Sequence, residues 1–214
     1  MVVGTGTDVG KTWVSARLVA HWRRSGLRVA ARKPAQSFEP DAGPTDAEIL
    51  GHASGEDPQT VCAPERWYPV PLAPPMAARR LGREPLTLAA LLDELSWPPE
   101  QVDVGLVETA GGLRSPIADD GDGLALATRV RADDVVLVAD AGLGTINAVR
   151  LAAAALATEA LPTSVVLNRY DPADQLHADN RRWLEDVDGL HVVSGDAGIE
   201  TLAKRLASVL LRGR

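Results

Sequence analysis

A glycine-rich segment near the start of the chain carries the strongest chemical signal. It reads Gly4-Thr5-Gly6-Thr7-Asp8-Val9-Gly10-Lys11-Thr12 and lies between a short apolar run and a helical pattern. Its glycines let successive backbone N–H groups point inward, the helix N-terminus adds a positive dipole end, and the lysine adds a full charge. The final threonine has a hydroxyl that can ligate Mg²⁺. The residues expected to contact a nucleoside triphosphate are Gly6, Thr7, Asp8, Val9, Gly10, Lys11 and Thr12.

The spacing within this segment is a variant one. The usual phosphate loop, G-x-x-x-x-G-K-[ST], has a glycine at the place of Thr5, whereas here glycines flank that residue. A glycine-rich turn with an incidental Lys-Thr pair is the alternative interpretation. The strand pattern before the segment and the helix pattern after it favour the phosphate loop.

Three further charged residues have positions that suit a site for Mg²⁺ and phosphate. Glu108 ends an apolar strand pattern, Asp46 opens a short helix, and Lys33 ends the second strand pattern. Mg²⁺ prefers oxygen ligands, and the carboxyl ends of parallel strands meet at one edge of a sheet. Each residue also has a plain interpretation as an exposed acid, a helix N-cap or a solvated lysine. The residue types alone leave these alternatives open.

The elements that must position these residues alternate along the chain. Short β-branched runs alternate with helical patterns, which predicts an α/β fold. We expect a P-loop NTPase-like, three-layer α/β/α architecture with a mostly parallel central sheet. The predicted strands are 2–3, 28–32, 104–108, 134–139, 163–167 and 191–193, and the predicted helices are 11–24, 46–52, 86–95, 145–156, 177–185 and 199–211. Residues 39–75, rich in Pro, Gly and Asp, predict loops around one short helix.

Size and composition indicate one ordinary globular domain over residues 1–214. A net charge of −7 gives no basic footprint for nucleic acid or an anionic membrane, and no apolar run approaches the roughly 20 residues of a membrane span. The single cysteine, Cys62, favours a reducing cytoplasmic location. The four histidines lack ligand spacing and are expected to be structural. The first strand is expected to be short, and whether residues precede it is left open.

Taken together, these segments resemble the dethiobiotin synthetase family. The loop GTGTDVGKT, then KPAQS, TDAEIL, VETAGG and GLGTIN, occur in the family's order and extend the resemblance to about Asn168. The resemblance implies that CO₂ carboxylates 7,8-diaminopelargonic acid to a carbamate, that ATP with Mg²⁺ phosphorylates the carbamate, and that the second amine closes a ureido ring. It also implies a homodimer with sites shared across its interface.

The resemblance further implies roles for individual residues. The residues matching the family's Mg²⁺ ligands are Thr12, Asp46 and Glu108. Those matching catalytic positions are Lys11, Lys33 and Thr7, and those matching substrate contacts are Thr7, Ser37, Gly111 and Asn147. Asn168 matches a residue that reads adenine, since an amide can both donate to and accept from a base edge.

Several positions depart from the family pattern. Phe38 and Thr109 replace glycines that are usual there, Ala148 stands where histidine is common, and no clear G-x-I/V-P segment follows residue 191. These departures leave substrate fit and base preference open. Alternative functions are a non-catalytic or altered-substrate paralogue, a sibling carboxylating or amide-forming ligase, and a regulatory or partitioning P-loop ATPase.

Two apolar features receive plain structural interpretations. Trp13 and Trp22 have a spacing that predicts packing of the first helix against the sheet. The proline-rich run 69–75 is expected to form a rigid wall of the pocket, rather than a polyproline ligand for a partner.

Overall fold

The computed structural model describes residues 1–212, with side chains to residue 210. The strands are β1 (Val2–Gly4), β2 (Val29–Arg32), β3 (Gln36–Ser37), β4 (Trp67–Tyr68), β5 (Val104–Val107), β6 (Pro116–Ala118), β7 (Gly121–Asp122), β8 (Val135–Asp140), β9 (Thr163–Asn168) and β10 (Val192–Ser194). The α-helices are α1 (Lys11–Arg24), α2 (Asp46–Ser54), α3 (Pro58–Val61), α4 (Pro74–Arg80), α5 (Leu88–Glu94), α6 (Gly123–Arg129), α7 (Thr145–Thr158), α8 (Gln175–Arg182) and α9 (Gly195–Arg212).

Six of the strands form the central parallel layer. β1, β8, β9 and β10 are consecutive parallel neighbours, and β2 pairs in parallel with β5. A parallel bridge between Val2 and Glu108 places β5 beside β1, which gives the order β2-β5-β1-β8-β9-β10. The short pairs β3–β4 and β6–β7 lie outside this layer.

Helices cover both faces of the sheet. Val136 and Val138 of β8 join the cluster that includes α1 and α9, whereas Val135 and Leu137 of the same strand join the cluster that includes α6 and α7. Successive residues of a strand point to opposite faces, so a strand buried on both faces is apolar throughout. The predicted three-layer α/β fold is therefore confirmed.

The six predicted strands of the central sheet are each correct to within one residue at either end, and α1 has its predicted bounds. The prediction was incomplete elsewhere. The predicted helices did not include α4 or α6, and the stretch 39–75 also contains α3 and β4, which pairs with β3 just before that stretch. α9 begins at Gly195 instead of residue 199, because this glycine adopts φ 65° and turns the chain sharply out of β10.

The second half of the predicted helix 177–185 also differs. α8 ends at Arg182 and continues as a π-helical turn over Trp183–Val187. Among residues 1–212, the helices include none that is both long and apolar enough to cross a membrane.

Candidate active site

The phosphate loop connects β1 to α1 and is fixed to its neighbours by backbone hydrogen bonds. The Thr5 N–H donates to the Val138 carbonyl at 2.9 Å, and the Leu113 N–H donates to the Gly4 carbonyl at 2.7 Å. Gly10 is the N-cap residue of α1, has φ 92°, and makes no side-chain cap bond. The first N–H groups of α1 thus have no side-chain acceptor at the cap and can serve an anion.

Lys11 is buried beside this loop, and no anionic side chain among the described residues makes a hydrogen bond with it. Its Nζ donates to the Gly6 carbonyl at 3.1 Å. Burial and, next, the charge of nearby Lys33 lower the pKa of Lys11. Phosphate oxygens would supply the negative charge that this ammonium needs.

Oxygen atoms from three elements converge next to Lys11. The Thr12 hydroxyl oxygen lies 2.6 Å from Asp46 Oδ1 and 2.8 Å from Glu108 Oε1. One hydroxyl proton cannot serve two carboxylates at once. Glu108 is also fully buried, and its Oε2 has no hydrogen-bond partner within the part of the chain that the structure describes. Such an oxygen-rich cluster with an unsatisfied buried carboxylate oxygen fits the needs of Mg²⁺.

The local sequence leaves the Asp46 carboxylate free for this cluster. Thr45, not Asp46, is the N-cap of α2, and its hydroxyl accepts from the Glu48 N–H at 3.3 Å. Glu48 completes a capping box by accepting from the Thr45 N–H at 2.7 Å. The N-cap interpretation of Asp46 is therefore wrong, because its neighbour already fills that position.

Lys33 joins both carboxylates from the end of β2. Its Nζ lies 2.6 Å from Asp46 Oδ2 and 2.7 Å from Glu108 Oε1, and it donates to the Thr109 carbonyl at 3.2 Å. The side chain is 1% exposed, so the solvated-lysine interpretation is wrong. Burial alone would lower the pKa of Lys33, but the charges of Glu108 and Asp46 outweigh burial and raise it. The lysine therefore stays charged.

Asp46 shows the reciprocal effect. Burial would raise the pKa of this carboxyl, but the Lys33 charge and the hydrogen bonds from Lys33 and Thr12 together outweigh burial and lower it. MgATP would therefore meet an ionised carboxylate at this position.

Within residues 1–212 there is no group of three or more His, Cys, Asp or Glu side chains able to hold a metal ion. A Mg²⁺ site here would use two carboxylates and one hydroxyl, completed by phosphate or water oxygens.

Lys11, Lys33, Thr12 and Asp46 lie on the wall of a cleft of about 680 Å³. The sequence-predicted residues that line it are Thr7, Asp8, Gly10, Lys11, Thr12, Lys33, Ser37, Asp46 and Gly111. Pro71 to Pro74 also line it, as expected for a pocket wall. Residues that sequence reasoning did not predict as lining include Phe38, Glu39, Ser115, Pro116 and Arg169.

Asn168 lies on the other side of the phosphate loop. Its Nδ2 donates to the Val9 carbonyl at 3.0 Å, and a Cβ at Gly10 would lie 1.9 Å from that nitrogen. Asn168, Gly10 and Trp13 line a second cleft of about 510 Å³. The predicted base-reading residue is thus packed directly beneath the loop.

Arg169 links the two clefts and was missed in the sequence. It lines both of them, and its guanidinium donates to the Asp8 carbonyl at 2.7 Å and to the Asp140 carboxylate at 3.1 Å. Its backbone has φ 55°, which is uncommon for a residue with a side chain. The available signal was a basic residue two positions after the predicted end of a strand.

Asn147 is the one predicted substrate residue that the fold does not bring to the cleft. It lies on the exposed side of α7 and is not among the cleft's lining residues. Leu143, 90% exposed, and Leu151, 68% exposed, lie four residues before and after it. Asn147 and Leu151 share one face of α7, and Leu143 lies in the turn just before the helix.

Comparison with known proteins gives consistent matches along the chain. The family model described as an AAA domain matches residues 1–201. The ATP-dependent dethiobiotin synthetase of Anaeromyxobacter dehalogenans strain 2CP-C is 37% identical, with 98% of this chain and 95% of that protein covered. The enzyme of the same name from Anaeromyxobacter sp. strain Fw109-5 is 40% identical, with 81% and 77% covered. A solved plasmid partition protein from Borrelia burgdorferi B31 shares the fold, with a TM-score of 0.56 at 12% identity and 100% and 97% covered.

Proposed function

Because the chain belongs to the ATP-dependent dethiobiotin synthetase family, we propose that it converts 7,8-diaminopelargonic acid and CO₂ to dethiobiotin with MgATP. The observation that carries this proposal is the cluster of Lys33, Asp46, Glu108 and Thr12 beside the phosphate loop. It opens into a cleft large enough for a small molecule next to a triphosphate.

The proposed reaction needs charge neutralisation more than a protein nucleophile. A substrate amine attacks CO₂ and loses a proton to give a carbamate. A carbamate oxygen then attacks the γ-phosphorus, and ADP leaves. The second amine finally attacks the carbamate carbon, and the ring closes as inorganic phosphate leaves. Negative charge builds on the transferring phosphoryl group, and the buried ammonium groups of Lys11 and Lys33 stabilise it.

The remaining site residues have supporting roles in this proposal. Thr12, Asp46 and Glu108 would hold Mg²⁺, which would supply positive charge to offset the charge of the phosphates. Thr7, Ser37 and Gly111 line the cleft and would contact the substrate. The proline wall is rigid, so it would hold an alkyl chain at low entropic cost.

The proposal includes a homodimer. Asn147 lies outside its own chain's cleft, next to two highly exposed leucines. Burying these two leucines against a second copy would remove apolar surface from water and bring Asn147 towards the partner's substrate. We further propose one catalytic domain over residues 1–214, supported by a sheet that uses strands from Val2 to Ser194, and a cytoplasmic location, where MgATP is available.

The departures at residues 38 and 109 leave the charged cluster intact. Phe38 packs edge-on against Trp67, with ring centroids 6.3 Å apart, so its side chain has a structural partner at the cleft. Thr109 contacts Lys33 through its backbone carbonyl, which any residue would supply. The inactive-paralogue alternative therefore gains no support from these two positions. Similarity to a partition protein at 12% identity concerns the fold alone.

The test is direct. Purified protein is incubated with MgATP, ¹⁴C-bicarbonate and 7,8-diaminopelargonic acid, and labelled dethiobiotin and phosphate are measured. Lys11→Ala and Glu108→Ala are the inactive controls, and Val209→Ala, on the exposed part of α9, is the matched neutral control. Phosphate release without labelled dethiobiotin would reject the substrate and favour a paralogue with another ligand.

A further inference from the structure

We propose that Trp13 is the stacking platform for the nucleobase, an inference that rests on the proposed use of ATP. The sequence suggested a core position for this tryptophan, and that expectation is wrong. Trp22 is buried in the core, but Trp13 is 40% exposed. Residues nine apart on a helix lie on roughly opposite sides, at about 100° per residue, so only one of the two can face the sheet.

Trp13 lies where the base of a loop-bound nucleotide must go. It directly follows Thr12, and it lines the second cleft together with Gly10, Asn168 and Tyr170. Gly10 and Arg169 line both clefts, so the phosphate site and the second cleft are contiguous. A triphosphate whose β- and γ-phosphates contact Lys11 extends its ribose and base into one neighbouring cleft. The first cleft holds the carbamate-forming substrate, which leaves the second for the base.

The surroundings of the indole favour stacking on one face. The Arg17 guanidinium lies 4.7 Å from the centre of the Trp13 ring. Arg17 is itself held by Asp196, at 3.3 Å, from the first turn of α9. A cation over an aromatic face is attracted to it and orders the ring. The ordered indole can then offer its other face to a base.

Stacking recognises the π-face that every base has, and its strength depends on ring overlap. Purine triphosphates should therefore bind more tightly than pyrimidine triphosphates, and removing the indole should weaken ATP binding by about tenfold. The phosphate contacts do not involve the indole, so binding of inorganic tripolyphosphate should change little.

The experiment compares dissociation constants for MgATP and magnesium tripolyphosphate by calorimetry in wild type, Trp13→Ala and Trp13→Phe. Trp183→Ala is the matched control, because Trp183 is 45% exposed and also has an arginine, Arg150, over its ring at 5.8 Å. We expect Trp13→Ala to weaken ATP binding about tenfold and Trp13→Phe to keep most of the wild-type ATP affinity. Tripolyphosphate should bind all variants alike. ATP, but not tripolyphosphate, should quench the tryptophan fluorescence that Trp13→Phe removes.

Three results would overturn the proposal. Unchanged ATP affinity in Trp13→Ala would show that the indole does not contact the base. Parallel loss of ATP and tripolyphosphate binding in that variant would show a purely structural role. Failure of both ligands to bind the wild type would instead reject the phosphate loop itself, and with it the proposed function.

Discussion

Glu108 and Asp46 share one lysine and one threonine but lie in different surroundings. Glu108 is fully buried, whereas the Asp46 side chain is 38% exposed. Removing one member of a buried ion pair leaves the other charge uncompensated, which costs about 3–5 kcal/mol, while partly exposed partners matter less. Glu108 and Asp46 therefore share a proposed role as Mg²⁺ ligands but should differ in how much each stabilises the folded protein.

We therefore expect Glu108→Gln to destabilise the metal-free protein by about 3 kcal/mol and Asp46→Asn by clearly less, because water can replace the lost Asp46 contact. Urea unfolding with EDTA measures both values. Added Mg²⁺ should stabilise the wild type and neither variant, since ligand binding to the folded state adds to its stability. Equal destabilisation by the two substitutions would contradict the buried position of Glu108.

The charged cluster also predicts a dependence of stability on pH. The pKa of Asp46 is lowered in the folded state, so its stabilising effect is present above the unfolded pKa of roughly 4 and is lost as pH falls. The pKa of Lys33 is raised, so its stabilising effect is present below roughly 10 and is lost as pH rises further. Unfolding of metal-free wild type and Asp46→Asn should converge at acid pH; a constant difference down to about pH 2 would refute this.

At the scale of elements, the turn from β1 into α1 depends on the glycine that caps the helix. Gly10 adopts φ 92°, and a side chain there would collide with the Asn168 amide at 1.9 Å. Gly26, just beyond the end of α1, has a similar φ of 85° but nothing within 4 Å. Substitution of Gly26 would therefore test backbone strain alone, whereas substitution of Gly10 would test backbone strain together with loss of the contact between the phosphate loop and β9.

Gly26→Ala should cost about 1 kcal/mol of stability from left-handed strain alone and leave ATP binding unchanged. Gly10→Ala should cost more, since it also displaces Asn168 from the Val9 carbonyl, and should weaken ATP binding at least about tenfold. Calorimetry and urea unfolding on the pair give both quantities. If Gly10→Ala bound ATP normally, the tie between Asn168 and the loop would be irrelevant to nucleotide binding.

For the whole molecule, the proposed dimer makes each site depend on two chains. Lys11→Ala should inactivate its own site, and Asn147→Ala should impair the partner's site. Mixing the two unfolded variants and refolding them together should restore about a quarter of wild-type activity, because half the dimers are mixed and each has one intact site. No recovery on mixing would show that Asn147 does not act across an interface.

The exposed face of α7 should hold that dimer together. Leu151→Asp places a charge in the proposed apolar contact and should give a monomer in sedimentation analysis. Val209→Asp alters an equally apolar residue on α9, 51% exposed, and should leave the dimer intact. A dimer that survived Leu151→Asp would place the interface elsewhere.

Local chemistry was enough to predict the sheet strands, α1 and the phosphate loop. Strands buried on both faces are apolar runs, amphipathic helices repeat every 3.6 residues, and glycine followed by Lys-Thr marks a loop that can wrap phosphate. These signals lie within a few neighbouring residues, so they can be read without the fold. α6, by contrast, is apolar at successive positions 124–127 and shows no 3.6-residue alternation, so it could not be predicted in this way.

Only the tertiary structure decided how distant residues meet. Thr12 and Glu108 are 96 positions apart, and Lys33 and Glu108 are 75 apart, yet each pair lies within 3 Å. The spacing of Trp13 and Trp22 puts them on opposite sides of α1 but does not reveal which one faces the sheet, because the covered side of α1 depends on α9 and the strands. The charge state of Lys33, the unpaired oxygen of Glu108 and the exposure of Trp13 all follow from such packing, since burial and distance are properties of the folded chain.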